Sequence, residues 1–354
     1  MKIYIRSAAC ISPQKTFGNS KFLEDVFEYK GTWLKAFEPD YTIIFESKVI
    51  RRMSRLIKMA VTAAQECLNI SKVSMPGAII TGTAYGSIED TAYFLKQIIE
   101  NNEELLSPTS FIQSTHNSIA AQVALMLKCH SYNITFVHKG NSFESAMLDA
   151  FLLLKEKETD DILVGGTDEM TDASFAILSR LGLYKRKPIS NLNIFETYTK
   201  GSIGGEGAAF FLLTAKESKD NLVEFVSVFT FYKPKDQIKI EENITSFLIK
   251  HFLHIGEIDL IICGKNGDIK NDKIYSELAD SLFHNNEMVN YKHLCGEYPT
   301  STSFALWLAS NIIAKGFIPA TVRKQGKSKS RPKNILIYNH YYNIYHSLFL
   351  VSAC

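Results

Sequence analysis

Two alternating hydrophobic patterns constrain the fold of this chain most. Short apolar runs rich in valine, isoleucine and leucine alternate with segments whose apolar residues recur every three or four positions. The first pattern is typical of strands covered on both faces, and the second of amphipathic helices. Strands are predicted at Ile3–Ile11, Gly77–Thr83, Ile134–His138, Asp161–Gly165, Ala208–Leu213, Val223–Phe231, Leu260–Cys263, Met288–Tyr291, Ile335–Asn339 and Ser347–Val351. The sequence therefore predicts a layered α/β fold.

A polar segment, Thr214–Asn221, divides the chain into two parts with a similar series of strands and helices. The strongest helical patterns are Met53–Leu68, Ser142–Lys155 and Leu306–Ala314. We therefore expect two similar halves, residues 1–216 and 217–354, although no exact sequence repeat is visible. Such a division suggests a duplicated architecture.

Composition narrows the functional class. The 354 residues are 46% hydrophobic and 21% charged, which is typical of a globular protein with a large core. A net charge of +2 argues against a nucleic-acid partner. The six cysteines form no C-x-x-C pair and no zinc-type cluster, so neither a metal nor a cofactor is expected. No signal-peptide or membrane-spanning pattern is visible, and we expect a cytoplasmic protein without a membrane partner.

Five segments, taken in order, resemble β-ketoacyl synthases of the thiolase superfamily. They are Arg51–Met53, Ser107–Asn117, Ile162–Glu169, Gly201–Ala208 and Lys292–Pro319. Each is weak alone, because glycine turns and Ser-Pro pairs are common in α/β proteins. Their order and spacing cover essentially the whole chain. The resemblance implies a thiolase-like fold, with two similar βαβ-rich halves in α-β-α-β-α layers.

The resemblance also indicates that the catalytic triad of the family is missing. Family members use a cysteine at a strand-to-helix turn and two histidines that stabilise an enolate. The matching positions here are Gly140, Gly264 and Glu297, while the family lysine is retained as Lys292. Glycine cannot be acylated, and an ionised glutamate would repel an enolate. We therefore expect no catalytic residues at these positions and no independent activity.

Two neighbouring features bear on the same site. Ser142 is the only hydroxyl nucleophile near Gly140, but a serine before an apolar run is more typical of a helix cap. The glycine turn of active members is replaced by the bulky segment His340–Tyr345, which suggests a filled or rigid pocket.

By this resemblance the chain is a chain-length-factor-like partner of an active type II β-ketoacyl synthase. Together the two subunits would form an acyltransferase complex for polyketide, aryl polyene or fatty-acid-type biosynthesis. The expected partners are that synthase subunit, in a heterodimer, and an acyl carrier protein. Candidates to line the partner's acyl tunnel or the interface are Phe111, Ile112, Thr115, His116 and Asn117.

Two alternatives remain open. The chain could be a homodimeric scaffold that binds an acyl carrier protein, which requires no catalytic residues either. It could also be a thioester-handling enzyme with relocated chemistry, because Cys263, Cys295 and His293 lie within a few residues of the expected sites.

Overall fold

The computed structural model describes residues 1–18, 21–51, 53–323 and 331–354. The strands are β1 (Tyr4–Ile11), β2 (Lys30–Gly31), β3 (Ala78–Gly82), β4 (Tyr132–Phe136), β5 (Asp161–Asp168), β6 (Ile189–Ser190), β7 (Gly207–Thr214), β8 (Val223–Tyr232), β9 (Leu260–Cys263), β10 (Met288–Asn290), β11 (Asn334–Tyr341) and β12 (Tyr345–Ser352). Each predicted strand corresponds to one of these.

The helices cover the sheet on both sides. They are α1 (Tyr41–Ile44), α2 (Ser47–Ile50), α3 (Arg55–Ser71), α4 (Ile88–Glu100), α5 (Pro108–Ser114), α6 (Ser118–Leu127), α7 (Ser142–Lys155), α8 (Asp172–Arg180), α9 (Gln237–Lys250), α10 (Ile269–Asp280), α11 (Lys292–Cys295) and α12 (Thr302–Lys315). Within the described ranges, no helix is both long and apolar enough to cross a membrane.

The sheet has the same topology in both halves of the chain. Its strand order is β10-β9-β11-β12-β8-β1-β7-β5-β3-β4. Strands β2 and β6 pair with each other in a separate two-stranded sheet and are not counted here. Among the other strands, the third of each half lies outermost, followed by the second, fourth, fifth and first. The outer three strands are parallel in each half, and the fourth, fifth and first pair antiparallel. The halves join where β1 pairs with β8 through Ile5 and Val223.

Three apolar clusters lie between the layers. On β7, Phe211 and Leu213 belong to the central cluster, whereas Phe210 and Leu212 face an outer one, because successive strand residues point to opposite faces. The buried helices α7 and α12 pack in the centre against strands of both halves. Helix α3 covers the N-terminal sheet, and the third cluster holds residues of α9 and α10. The predicted α-β-α-β-α fold is confirmed.

Most elements differ from the sequence predictions by a few residues at their ends, and two of these differences lie near the positions singled out in the sequence. Strand β4 ends at Phe136 rather than His138, because the His138 N–H leaves the ladder and donates to the Ser142 hydroxyl. Helix α3 begins at Arg55, after Ser54, and not at the Arg51–Met53 segment, of which Arg52 lies outside the described residues. The segment at 215–222 connects β7 to β8, and the boundary after residue 216 stays a prediction.

Candidate functional site

Gly140 lies in a short 3₁₀ turn between β4 and α7, where the tyrosine side chain of another element occupies the adjacent space. A Cβ atom placed on Gly140 would lie 2.5 Å from the Cβ and 2.9 Å from the Cγ of Tyr341. Real Cβ atoms do not approach other carbon atoms so closely, because of steric repulsion. Tyr341 is buried at the end of β11. Position 140 therefore has no room for a side chain unless Tyr341 moves.

Ser142 is buried and its hydroxyl is engaged on both sides. It accepts from the His138 N–H at 2.8 Å and donates to the Lys139 carbonyl at 2.8 Å. The hydroxyl therefore stabilises the turn before α7, rather than binding N–H groups in the first turn of the helix. A hydroxyl held in this way is not presented to a substrate.

Gly264 follows β9, and its surroundings are also filled. A Cβ atom here would overlap the Oδ1 atom of Asn339 and lie 2.7 Å from the hydroxyl of Tyr275. Asn339 is fixed by its Nδ2 atom, which donates to the Thr302 hydroxyl at 2.9 Å. As at Gly140, a residue of β11 takes the space of the absent side chain.

Glu297 forms a buried ion pair with Lys292. The Lys292 Nζ atom lies 2.7 and 2.9 Å from the two carboxylate oxygens, and the two side chains are only 1% and 2% exposed. The Nδ2 atom of Asn266 donates to the same carboxylate at 2.6 Å. A buried charge needs such a partner and additional hydrogen bonds to offset its lost hydration. Lys292 thus neutralises the charge of Glu297.

Glu144 is a further buried carboxyl group near this ion pair. It lies on the first turn of α7 and is fully buried, and neither oxygen has a hydrogen bond of normal geometry in the described part of the chain. Burial raises the pKa of Glu144 to about 7, which the nearby hydroxyls of Thr302 and Ser347 and the charge of Lys292 offset only in part.

Asp168, the acidic residue after Gly165-Gly166, connects the two halves. Its Oδ1 atom accepts from the Thr83 hydroxyl at 3.0 Å and the Ala84 N–H at 2.8 Å. Its Oδ2 atom accepts from the N–H and hydroxyl of Thr300, at 3.0 and 2.8 Å. Burial raises the pKa of Asp168 to about 6, although these hydrogen bonds favour the ionised form. Asp168 therefore fixes the segment before α12 against the ends of β3 and β5.

The residues considered for relocated chemistry are buried. Cys263 and Cys295 are fully buried, and burial raises the pKa of the Cys295 thiol well above its usual range. The Nε2 atom of His293 lies 2.8 Å from the Thr321 carbonyl oxygen, and burial lowers its pKa to about 4. Because these side chains are closed off in the core, they are not presented to a substrate.

The residues predicted to line the tunnel or the interface lie on elements other than those that carry Gly140, Gly264 and Glu297. Phe111 and Ile112 lie on α5 and are 56% and 62% exposed. The Thr115 hydroxyl donates to the Ile112 carbonyl, and the exposed His116 ring lies beside Gly86. Asn117 is an exposed residue immediately before α6.

Helices α4 and α5 form a hairpin with much exposed apolar surface. Neither helix contains a buried residue, and the Phe94 and Phe111 rings are 5.5 Å apart. The exposed apolar residues of the hairpin are Tyr93, Leu95, Ile99, Leu105, Phe111 and Ile112. Contiguous apolar surface of this kind is typical of protein–protein contacts.

A groove of about 700 Å³ with a positively charged rim lies beside Tyr184. We refer to it as the cationic groove; its lining residues include Lys185, Arg186, Lys187 and Lys200. The Lys185 side chain is held in place, because its Nζ atom donates to the Thr199 hydroxyl at 2.8 Å and the Gly267 carbonyl at 2.9 Å. None of the described lining residues is acidic, although Asp268 and Asp272 lie close enough to act on Lys185.

Sequence reasoning missed the residues that fill the site. Tyr341 lies about 200 positions along the chain from Gly140, and Asn339 lies 75 positions from Gly264. The only signal was the bulky His340–Tyr345 segment, which indicated a filled pocket without naming the residue responsible. Asn266, two residues beyond Gly264, gave no signal of its bond to Glu297.

Comparisons with known proteins agree with the resemblance found in the sequence. Residues 40–182 match the family model described as "Beta-ketoacyl synthase, N-terminal domain". No curated protein sequence matches the chain. Among solved structures, the ishigamide ketosynthase/chain length factor is 16% identical, with a TM-score of 0.82, and the match covers 100% of this chain and 99% of that one.

Two further structures are similar over the same extent. The ketosynthase ApeO in complex with its chain length factor ApeC, from Xenorhabdus doucetiae, is 13% identical, with a TM-score of 0.76 and coverage of 100% and 98%. The complex AntDE:AntF, a type II acyl-carrier protein with its ketosynthase, is 15% identical, with a TM-score of 0.73 and coverage of 100% and 99%. At these identities the likeness shows the fold. The resemblance to β-ketoacyl synthases is therefore confirmed: residues 40–182 match the N-terminal domain of that family, and the whole chain has the ketosynthase fold.

Proposed function

We propose that this chain is the non-condensing, chain-length-factor-like partner of an active type II β-ketoacyl synthase. It would stabilise a heterodimer and shape the acyl tunnel of its partner in polyketide, polyene or fatty-acid-type biosynthesis. In this role the chain has no independent activity but contributes to an acyltransferase complex.

The observation that carries the proposal is that Tyr341 occupies the space that a side chain at position 140 would need. Condensation requires a thiolate at this turn and two donors for the thioester oxygen. Gly140 and Gly264 have no side chains, and the space beside them is occupied by Tyr341 and Asn339. Glu297 is engaged by Lys292 and Asn266. A fold that keeps its architecture while filling its reaction site is suited to assembly rather than to chemistry.

A partner surface is available on the N-terminal half. Strand β4 lies at the edge of the sheet, and Tyr132 on β4 is hydrogen-bonded to Asp149 of α7, at 3.2 Å. Tyr132 and the α7 residues Leu148 and Leu152 are exposed apolar groups beside this edge. An unpaired edge strand with apolar neighbours is a template for association. Helix α6 packs between β4 and the exposed α4–α5 hairpin, so both surfaces can face one partner.

The cationic groove supports an acyl carrier protein as the second partner. One of the similar structures holds a type II acyl-carrier protein in complex with its ketosynthase. An acyl carrier protein that binds this chain would have to present negative charge to the rim of the groove, which includes Arg186, Lys187 and Lys200.

A homodimeric scaffold would use the same edge of the sheet, so the edge alone does not distinguish it. Relocated thioester chemistry is disfavoured by the burial of Cys263, Cys295 and His293. The proposal requires a second ketosynthase-like chain in the native complex, and neither alternative does.

The deciding experiment is an intact native mass of the tagged protein isolated from its host. We expect a one-to-one complex with a second ketosynthase-like chain that retains Cys, His and His. A homodimer without that partner would contradict the proposal. As a control, a variant with charged residues at the edge, Leu148→Glu and Leu152→Glu together, should lose the partner while remaining folded.

A further inference from the structure

A small cleft lined by several acidic residues lies in the N-terminal half. It has a volume of about 260 Å³. The loop after β2, the start of α3, the start of α4 and the turn from β5 to α8 form its walls. Its charged and aromatic lining residues are Trp33, Lys35, Glu38, Arg55, Glu89, Glu169 and Asp172.

Glu169 has a buried carboxylate oxygen that no described residue satisfies. The residue is only 4% exposed, yet it lines the cleft. Its Oε1 atom accepts from the Glu89 N–H at 3.1 Å, whereas its Oε2 atom is buried without a hydrogen-bond partner in the described part of the chain. Buried carboxylate oxygens are rarely left in this state without a ligand or a functional reason. This oxygen therefore indicates that the cleft binds a donor.

The charges around the cleft favour a positively charged donor. Arg55 is already neutralised, because it forms a bidentate pair with Glu206, at 2.5 and 2.7 Å, and its Nε atom contacts Glu38 at 2.5 Å. Lys35 lies over the Trp33 ring, with its Nζ atom 4.5 Å from the ring centroid. Glu89 and Asp172 add two further carboxylates. Acidic groups thus outnumber the basic groups that line this cleft.

The donor set suits an organic cation better than a metal ion. In the described ranges of the chain, no group of three or more His, Cys, Asp or Glu residues could hold a metal. The Trp33 ring is stacked on Phe175, with 5.6 Å between the centroids, and already has the Lys35 ammonium group over it. An incoming alkylammonium or guanidinium group would take the place of Lys35 over this ring. Met170 adds an apolar wall for a short carbon stem.

We propose that this cleft binds a single alkylguanidinium or alkylammonium group, with Glu169 as its carboxylate partner. The group can belong to a free small molecule or to an arginine or lysine side chain of a bound protein. Burial raises the pKa of Glu169 to about 7, with a further contribution from the charge of Glu89, so a bound cation favours release of the proton. The proposal does not depend on the ketosynthase-partner function.

The test is a titration of the full chain with n-butylguanidinium, followed by calorimetry or ligand-observed NMR. We expect a dissociation constant of about a millimolar, as for a small fragment. Glu169→Gln should weaken binding at least tenfold, while Glu100→Gln, at the exposed far end of α4, should leave it unchanged. Binding to the wild-type chain should tighten roughly tenfold from pH 6 to pH 8, as Glu169 loses its proton.

The proposal is overturned if the wild-type chain does not bind at concentrations up to about 20 mM, or if Glu169→Gln binds equally well. If that variant does not fold, the pH profile of the wild-type chain decides, and a flat profile overturns the proposal. The complex purified from the host identifies the source of the cation. Retained binding of n-butylguanidinium by the complex indicates a free molecule, and its exclusion indicates a side chain of the bound protein.

Discussion

Replacing Glu144 by glutamine should stabilise the protein at and above neutral pH. The carboxyl group is fully buried on α7, and its pKa is raised from 4.5 to about 7 by that burial. Glutamine has nearly the same shape but no charge to bury. The variant therefore removes the cost of ionisation and leaves the surrounding core in place.

The magnitude follows from the linkage between proton binding and stability. Between pH 4.5 and 7 the folded protein keeps the proton that the unfolded chain loses, so stability falls as pH rises through this window and is then constant. With a folded pKa of about 7, the full loss is about 3 kcal/mol above pH 7. About 2 kcal/mol of it develops between pH 5.5 and pH 8, and Glu144→Gln should recover this part selectively.

Urea unfolding of both proteins at pH 5.5 and pH 8 measures the effect. The other buried carboxyls with raised pKa, Asp168, Glu169 and Asp272, act in the same direction in both proteins and cancel in the difference. Glu156→Gln, an exposed carboxyl beyond the last turn of α7, is the matched control and should change stability by less than about 0.5 kcal/mol. An equal stability change for Glu144→Gln at both pH values would refute the reasoning.

Four further predictions concern the filled site and the exposed hairpin. Gly140→Ala should destabilise the protein by about 1–3 kcal/mol through its overlap with Tyr341, and adding Tyr341→Ala should relieve that overlap. Gly140→Cys alone should restore no condensation in an assay with acyl carrier protein substrates. Glu297→Ala should cost about 3–5 kcal/mol by leaving Lys292 charged and buried, whereas replacing both residues by methionine and leucine should cost much less. Phe111→Ala should lengthen the product of the partner synthase, measured by mass spectrometry.

Each of these predictions has a contrary result. If Gly140→Ala lowered the stability of the wild-type protein and of the Tyr341→Ala variant by the same amount, the clash with Tyr341 would not be the cause of the loss. Turnover by Gly140→Cys would overturn the argument from the missing triad. A double variant at Lys292 and Glu297 as unstable as Glu297→Ala would assign the loss to packing. Unchanged chain length with Phe111→Ala would remove this residue from the tunnel, with Ile43→Ala on the exposed helix α1 as the control.

The sequence predicted the strands better than it predicted which side chains contact each other. Continuous apolar runs such as Leu260–Cys263 mark buried strands unambiguously, and the strand found there has the same bounds. Helices α4 and α5 were not predicted, although Ile88, Leu95, Ile98 and Ile99 of α4 recur at helical spacing. The structure leaves that apolar face without a buried residue, so periodicity alone does not show whether a helix lies in the core or on the surface.

The same limit applies to the site. The sequence pattern directed attention to Gly140 and Gly264, because each lies shortly after a strand that is recognisable from its own residues. Which side chains lie beside these glycines depends on the position of β11 next to both of them. No local sequence pattern gives that position. The Lys292–Glu297 pair is the intermediate case: five positions separate the two residues, but their pairing depends on the path of the chain through Gly296, whose φ is +75°.

The overlap between Gly140 and Tyr341 has an evolutionary consequence. A lineage that gained a larger side chain at position 140 first would meet a steric clash, and one that first reduced Tyr341 would open a cavity costing about 3–5 kcal/mol. Selection for stability disfavours either first step, so the packing of Tyr341 makes glycine at position 140 difficult to replace.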